Sequence, residues 1–277
     1  ERSRGLGDVY KRQFRNTGND MKKLILLSAL ALAIPAWANG TDMMAPTEAK
    51  KKEAKKAEPE GFKFTDIKVN PTTSVKNQNK SGTCWSFSGT SFLEEDIMKK
   101  GGPELDLSEM YTVRHCYIDK AKKFMRTQGN INFAQGGGFP DVVYVAETYG
   151  MVPEEAYSGL NYGEDKHNHG ELSEALTAYL NAIVKNPNRK LSTAWLDGFI
   201  GILDAYLGPE PESFTYNGKT YTPQTFAKEL GFNADDYVMI TSYNHHPFYK
   251  PFAIEIADNW LWAESMNVPC LLYTSDA

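Results

Sequence analysis

Cysteine is scarce in this sequence: 277 residues hold only Cys84, Cys116 and Cys270. An odd, sparse set of that kind does not describe a disulfide-stapled domain, but it leaves room for one functional thiol. A basic excess is also missing. Thirty Lys and Arg stand against 35 Asp and Glu, a formal charge of −5, so there is no electrostatic footprint for nucleic acid or an anionic membrane surface. The longest apolar run, Leu24 to Ile34, is too short to span a bilayer comfortably. No internal repeat is visible. What is present is 41% hydrophobic and 12% aromatic residues, enough to bury a real core in one large or two ordinary domains.

Residues 21–38 have the three parts of a secretory signal. Lys22 and Lys23 give the positive start, Leu24 to Ile34 the apolar stretch, and Ala36-Trp37-Ala38 a small-x-small cleavage site. Export to the periplasm or the medium is expected, with no membrane attachment after cleavage, since no cysteine follows the apolar run to carry a lipid. Met21 is then the natural start. Residues 1–20 and 270–277 are read as non-native ends, because Gly7 to Gln13 and Leu271 to Ala277 resemble translated adapter sequence. Residues 39–61 are rich in Lys, Glu, Ala and Pro and read as a solvated, charged linker.

From residue 62 to 269 the chain reads as globular. Trp85, Phe92, Leu93 and Ile97 recur at helical spacing in Trp85–Lys100, and Gly101-Gly102-Pro103 ends that helix. Leu107 to Tyr111 opens a second helix with Ser108 as N-cap. The Gly-rich turn Gln135–Pro140 precedes a third, which runs through Tyr149 and is stopped by Gly150 and Pro153. Residues 171–186 and 192–207 also read as helices. Ser213–Tyr221 and Tyr237–Ser242 read as strands, the first folded at Asn217-Gly218. The fold class is α+β.

The chemistry concentrates in Gln78 to Phe87. Cys84 falls where a loop enters a helix, and the unpaired N–H groups and positive dipole end there stabilise a thiolate. A thiolate attacks an amide or ester carbonyl, and the oxyanion it creates needs donors already in place. The Gln78 side chain and the Cys84 N–H are suited to supply them. A buried cysteine is the commoner fate of a Cys in a helix, so a lone Cys-Trp would not carry this reading.

The whole string does. Gln78, five residues, then Cys84-Trp85-Ser86-Phe87 resembles the active-site signature of the papain superfamily of cysteine peptidases. Leu107-Ser108-Glu109-Met110-Tyr111 is similar to its Leu-Ser-x-x-Tyr segment, and Gly136-Gly137-Gly138-Phe139-Pro140 to its Gly-Gly substrate strip. The resemblance implies that Cys84 and Gln78 are catalytic and that Gly137, Gly138 and Trp85 bind a peptide substrate paired in strand fashion. It implies no metal or organic cofactor. Papain-type secreted members carry a disulfide cysteine three residues before the nucleophile, where this chain has Ser81. Ser81-Gly82-Thr83-Cys84-Trp85 is similar instead to the bleomycin hydrolase and aminopeptidase C branch, whose long insertion fits residues 160–270, including Thr241 to Phe248 and Asp258-Asn259-Trp260. Members of that branch assemble as hexamers, so a homo-oligomer is implied.

A thiol peptidase also needs a histidine and an orienting Asn or Asp. In this family both lie near the C-terminus. His115, His167, His169, His245 and His246 are the five histidines, and none has the family's motif context. His167 and His169 read as solvated residues of a polar loop. The adjacent His245 and His246 give poor geometry for sharing one metal. The expectation is a fragment whose β-rich half is incomplete and which is inactive as written. The alternative is a secreted binding module that kept the fold and a silent cysteine.

Overall fold

The computed structural model describes Gly61 and residues 65–66, 68–187 and 190–274. The signal read at 21–38, residues 1–20 and the linker to residue 60 lie outside them. No helix among the described residues is long and apolar enough to cross a membrane. Phe64–Ala277 forms one compact unit. Among the described residues five α-helices come first: α1 (Cys84–Lys99), α2 (Glu109–Arg126), α3 (Phe139–Thr148), α4 (Gly170–Val184) and α5 (Ala194–Leu207). A hairpin of β1 (Phe214–Tyr216) and β2 (Lys219–Tyr221), a short helix α6 (Pro223–Glu229), three strands and a last turn of helix α7 (Leu271–Thr274) follow. The architecture is α+β, as the sequence predicts.

The hub is α2, which packs against α1, α3, α4 and α5. Its start is as the sequence predicts, the Ser108 hydroxyl accepting from the Tyr111 N–H at 3.0 Å. Burial wraps almost its full circumference, so its polar side chains need internal partners. Arg114 donates to Asp204 of α5 at 2.6 Å. Asp119 accepts from the hydroxyls of Tyr144 and Tyr149 at 2.8 and 2.7 Å. Burial would raise the Asp119 carboxyl, but Lys122 and the two hydroxyls outweigh it and hold it below the usual range. Met110, Val113, Cys116, Tyr117 and Ala121 supply the apolar contacts.

Proline and glycine fix the turns. α3 begins at Phe139 rather than after Pro140, because a proline needs no N–H partner in the first turn of a helix. It ends at Thr148, and the chain turns away at Gly150, whose φ of +91° and close approach to the Pro223 carbonyl exclude a side chain. Asn217 and Gly218, at φ +48° and +77°, make the hairpin turn, and Phe214, Tyr216 and Tyr221 pack edge-on against Phe226 of α6.

The expected strand 237–242 is shorter. Ala234–Asp236 is a 3-10 turn, and β3 is Ile240–Thr241. It pairs parallel to β5 (Glu264–Asn267), which pairs antiparallel to β4 (Pro251–Ala253), giving the order β3-β5-β4. Asn267, fully buried, organises the loop between β3 and β4. Its amide donates to the Tyr243, His246 and Pro247 carbonyls and its oxygen accepts from the Tyr243 N–H. His246 stacks on Phe252 with centroids 3.8 Å apart.

A carboxylate cluster anchors the segment leading into α1. Lys76 reaches Glu94 at 2.8 Å, Asp106 and, at 3.4 Å, Glu109. Glu94 also accepts from Thr73 at 2.6 Å and from the Leu107 N–H at 2.8 Å. One lysine cannot balance so many acids. Burial, opposed by Lys76, pushes Glu109 up to about 7, and burial with neighbouring carboxylates pushes Glu154 up to about 8, from an ordinary 4.5. Between those limits the folded chain keeps protons that the unfolded chain has released, so stability falls as pH rises through 7 and 8. Thermal unfolding followed from pH 6.5, above which the buried His167 and His169 no longer oppose the trend, to pH 8.5 should show a declining midpoint, with roughly 2–4 °C for each kcal/mol in a domain of this size. Glu154→Gln should flatten the decline; an unchanged slope would show that Glu154 does not carry it.

Candidate active site

Cys84 is the first residue of α1 and exposed, while Trp85 and Ser86 behind it are buried. Thr83 precedes it as N-cap but makes no side-chain cap. Its hydroxyl turns instead to the Ser81 hydroxyl, 2.6 Å away. The first-turn N–H groups thus have no side-chain acceptor competing for them, which suits an oxyanion donor. Cys116 is the opposite kind of cysteine, fully buried in α2, where burial pushes its thiol well above the usual range.

The loop before Cys84 is held from three directions. Internally, the Gln78 amide donates to the Ser81 carbonyl at 2.6 Å, and the Ser81 hydroxyl donates back to the Gln78 carbonyl at 2.9 Å. One amide hydrogen of Gln78 is thereby fixed, and the second remains for another acceptor. Ser81, buried at 7% exposure, knits the loop by hydrogen bonds at the position where the resemblance places a disulfide cysteine in other members. Asn79 takes φ +52°, a left-handed conformation that Asn tolerates, and its N–H is met by the Asn77 side chain at 2.8 Å.

On one flank the loop pairs with residues 167–169: the Lys80 N–H donates to the His167 carbonyl and the His169 N–H to the Lys80 carbonyl, both at 3.0 Å. This corrects the expectation that His167 and His169 are solvated. They are 9% and 2% exposed, and their rings pack near Phe87 and Tyr117. Burial lowers both, His169 to about 4, so neither is protonated near neutrality. A polar local sequence hid this, because the backbone pairing that draws the segment inward is a long-range contact.

On the other flank is Gln135, which the sequence did not mark. Its side-chain oxygen accepts from the Gly82 N–H at 2.7 Å and its carbonyl from the Trp85 indole at 2.9 Å. Both bonds cross from the nucleophile segment to the start of the glycine strip. Trp85 is only 6% exposed. Its ring lies against Gly137 and is turned away from solvent.

The strip requires glycine for reasons internal to the protein. A Cβ on Gly136 would come within 2.3 Å of Asp258, and one on Gly137 within 2.5 Å of Asp141 and 2.8 Å of the Trp85 ring. On Gly138 the nearest neighbour would be Pro140 at 3.3 Å. The Gly138 N–H donates to Asp141 at 2.9 Å, which caps α3. Among the described residues Gly137 has no backbone hydrogen-bond partner, leaving its N–H and C=O available to an extended chain. Beneath lies Lys120 of α2, 3% exposed, donating to the Ala134 carbonyl at 3.2 Å and to the Gly136 carbonyl. Desolvation lowers Lys120, while burial pushes Asp141 up to about 6, opposed by the Gly138 N–H and by Lys120. No motif signalled Gln135, Lys120 or Asp141, and Asp258 was marked only as part of the Asp258-Asn259-Trp260 run of the insertion, without a role; Asp141, three residues after the Gly138 cap, was the most readable.

These contacts separate two glycines that look alike in sequence. Gly137→Ala should destabilise by about 1–3 kcal/mol through overpacking against Trp85 and Asp141, whereas Gly138→Ala should stay within about 1 kcal/mol. Chemical denaturation of both variants measures the difference, and equal losses would contradict the packing described.

Among the known protein families, the papain family cysteine protease model matches residues 59–206, more than half of the chain. Aminopeptidase C of Lactobacillus delbrueckii subsp. lactis is 24% identical over 237 residues, 68% of this chain and 51% of the relative. Aminopeptidase G of the same organism is 24% identical over 227 residues, 68% of this chain and 52% of the relative. Cathepsin L2 of Homo sapiens is 38% identical over 85 residues, 31% of this chain and 23% of the relative. The chain spans about half the length of the two bacterial relatives it matches. The matched span contains the nucleophile loop, α1 and the glycine strip, and the chain belongs to the papain family of cysteine proteases.

Proposed function

We propose that this chain is the nucleophile-bearing part of an exported cysteine peptidase of the aminopeptidase C type. The observation that carries the reading is the exposed Cys84 thiol on an uncapped helix start, beside a loop that fixes the Gln78 amide. A peptide extended along Gly137 would bring a carbonyl to the thiolate. Attack forms a tetrahedral oxyanion facing the Cys84 N–H and the free Gln78 amide hydrogen. Collapse expels the amine, which takes a proton, and leaves a thioester that water then hydrolyses.

The proton donor for that amine is the role of a histidine, and among the described residues none of the five is in hydrogen-bond or ring contact with Cys84; His245 and His246 lie in the loop between β3 and β4, against Tyr243 and Phe252. His167 and His169 are buried, with lowered proton affinity, and His115 is enclosed between Glu210 and the Tyr149 ring. Slow or absent turnover by this chain follows. The aminopeptidase assignment is supported by the two bacterial relatives and by Ser81 in the nucleophile loop. Export is supported by the three-part signal at 21–38.

A thiol-directed epoxide separates the cysteines. Peptide mapping after treatment should place the adduct on Cys84 and none on Cys116; protection of Cys84 equal to that of Cys116 would remove the nucleophile assignment. Hydrolysis of aminoacyl reporter amides by the purified chain should be slower than a complete enzyme by several orders of magnitude, as for loss of a triad member. Robust turnover that disappears in Cys84→Ala would show that the chain holds its own base.

A further inference from the structure

A cavity of about 120 Å³ opens beside Gly137 and Gly138. Its walls are mainly apolar, with Pro140, Met239, Ile254 and Ile256, but Asp258 also faces into it. The Asp258 carboxylate lies against the strip, since a Cβ on Gly136 would fall 2.3 Å from its Oδ1. Among the described residues it has no hydrogen bond within the protein and no ion pair within 4.0 Å. The other charged groups nearby are engaged. Asp141, 2% exposed, accepts the Gly138 N–H, and Lys120 is directed to the Ala134 and Gly136 carbonyls on the buried side of the strip. Asp258 is exposed.

The loop that presents Asp258 is built rather than loose. The Asn259 side chain donates to the Ile254 and Ala263 carbonyls at 3.0 Å each and accepts from the Ala263 N–H at 2.9 Å. Asn259 closes the loop again through its backbone, its N–H donating to the Ile256 carbonyl at 3.1 Å. A carboxylate held on rigid backbone at the edge of an apolar cavity, felt by the charge of buried Lys120 but with no hydrogen bond or close ion pair of its own, matches a ligand that combines an apolar stem with a cation. Lysine and arginine side chains have that form, as does the free α-ammonium of a peptide whose first side chain enters the cavity.

We propose that Asp258 is a specificity-determining residue that recognises a cationic nitrogen on the bound peptide. This rests on the reading of Gly137 and Gly138 as the peptide-binding strip. The test uses three tripeptides with a fluorophore on the C-terminal amide, binding being followed by fluorescence anisotropy, so that turnover is not required. They are acetyl-Lys-Ala-Ala, acetyl-norleucyl-Ala-Ala and norleucyl-Ala-Ala with a free amine. At least one cationic peptide should bind about fivefold more tightly than acetyl-norleucyl-Ala-Ala, the scale of a solvent-accessible ion pair. Which of the two does so identifies the side chain or the α-ammonium as the group recognised.

The preference should shrink as ionic strength rises from about 20 to about 300 mM. Asp258→Asn, which keeps the shape, should abolish it while leaving the neutral peptide within about twofold. Equal affinities for all three peptides, or a preference that survives in Asp258→Asn, would overturn the assignment and leave the strip standing as a peptide site. Failure of all three to bind would overturn both.

Discussion

The site depends on one residue bridging two parts of the chain that are distant in sequence. Gln135 accepts from the Gly82 N–H through its side chain and from the Trp85 indole through its carbonyl. A nucleophile must be open to solvent, so the loop that carries it cannot be fixed by burial on that side. Hydrogen bonds from behind do the fixing instead, each worth about 1 kcal/mol net, but together setting where Cys84, Gln78 and Gly137 stand relative to one another. The glycine strip is the other half of the same device. Its glycines let Trp85, Asp141 and Asp258 press against the backbone, so the strip is a rigid edge.

The charges beneath the strip show the same logic. A buried ammonium such as Lys120 costs several kcal/mol unless it finds acceptors, and it finds the carbonyls of Ala134 and Gly136. Those are the backbone groups that must be held for the strip to stay straight. Burying Lys120 costs stability in general terms and sets the backbone at that one place. The acid cluster around Lys76 is organised differently. There the lysine ties the segment before the loop to α1 and α2 through Glu94 and Glu109, with surplus carboxylates that stay protonated to higher pH.

Local signals in the sequence were read well. The Ser108 cap, the Asn217-Gly218 turn, the Gly150 stop and the helix read over Trp85–Lys100, found one residue earlier at Cys84–Lys99, each follow from one residue's conformational preference and its neighbours. Long-range contacts were not legible. His167 and His169 look solvated because the residues around them are polar, yet Lys80 draws them in by backbone pairing that no side chain announces. Phe92, counted with the apolar face of α1, is 48% exposed and instead meets Phe139 and Tyr237 edge-on. β4 and β5 were missed because each is four residues or fewer and is organised by Asn259 and Asn267, whose roles are set by tertiary geometry. At the site, Cys84 and Gln78 were marked by a local motif, whereas Gln135, Lys120 and Asp258 act across separations that spacing rules do not cover.

The pairing of Lys80 with residues 167–169 has a consequence for the order in which the molecule can assemble. Closing that contact encloses all of α1, α2 and α3 in one loop of the chain, and such closures carry an entropic cost that only non-local contacts repay. During synthesis α1 can form early from its own residues, with the thiol already at its tip. The nucleophile loop cannot take its final shape until Asn168 has emerged. For that interval Cys84 is a surface thiol on a helix whose preceding loop is still unset, so the order of synthesis itself delays the final geometry around the thiol until most of the described fold exists.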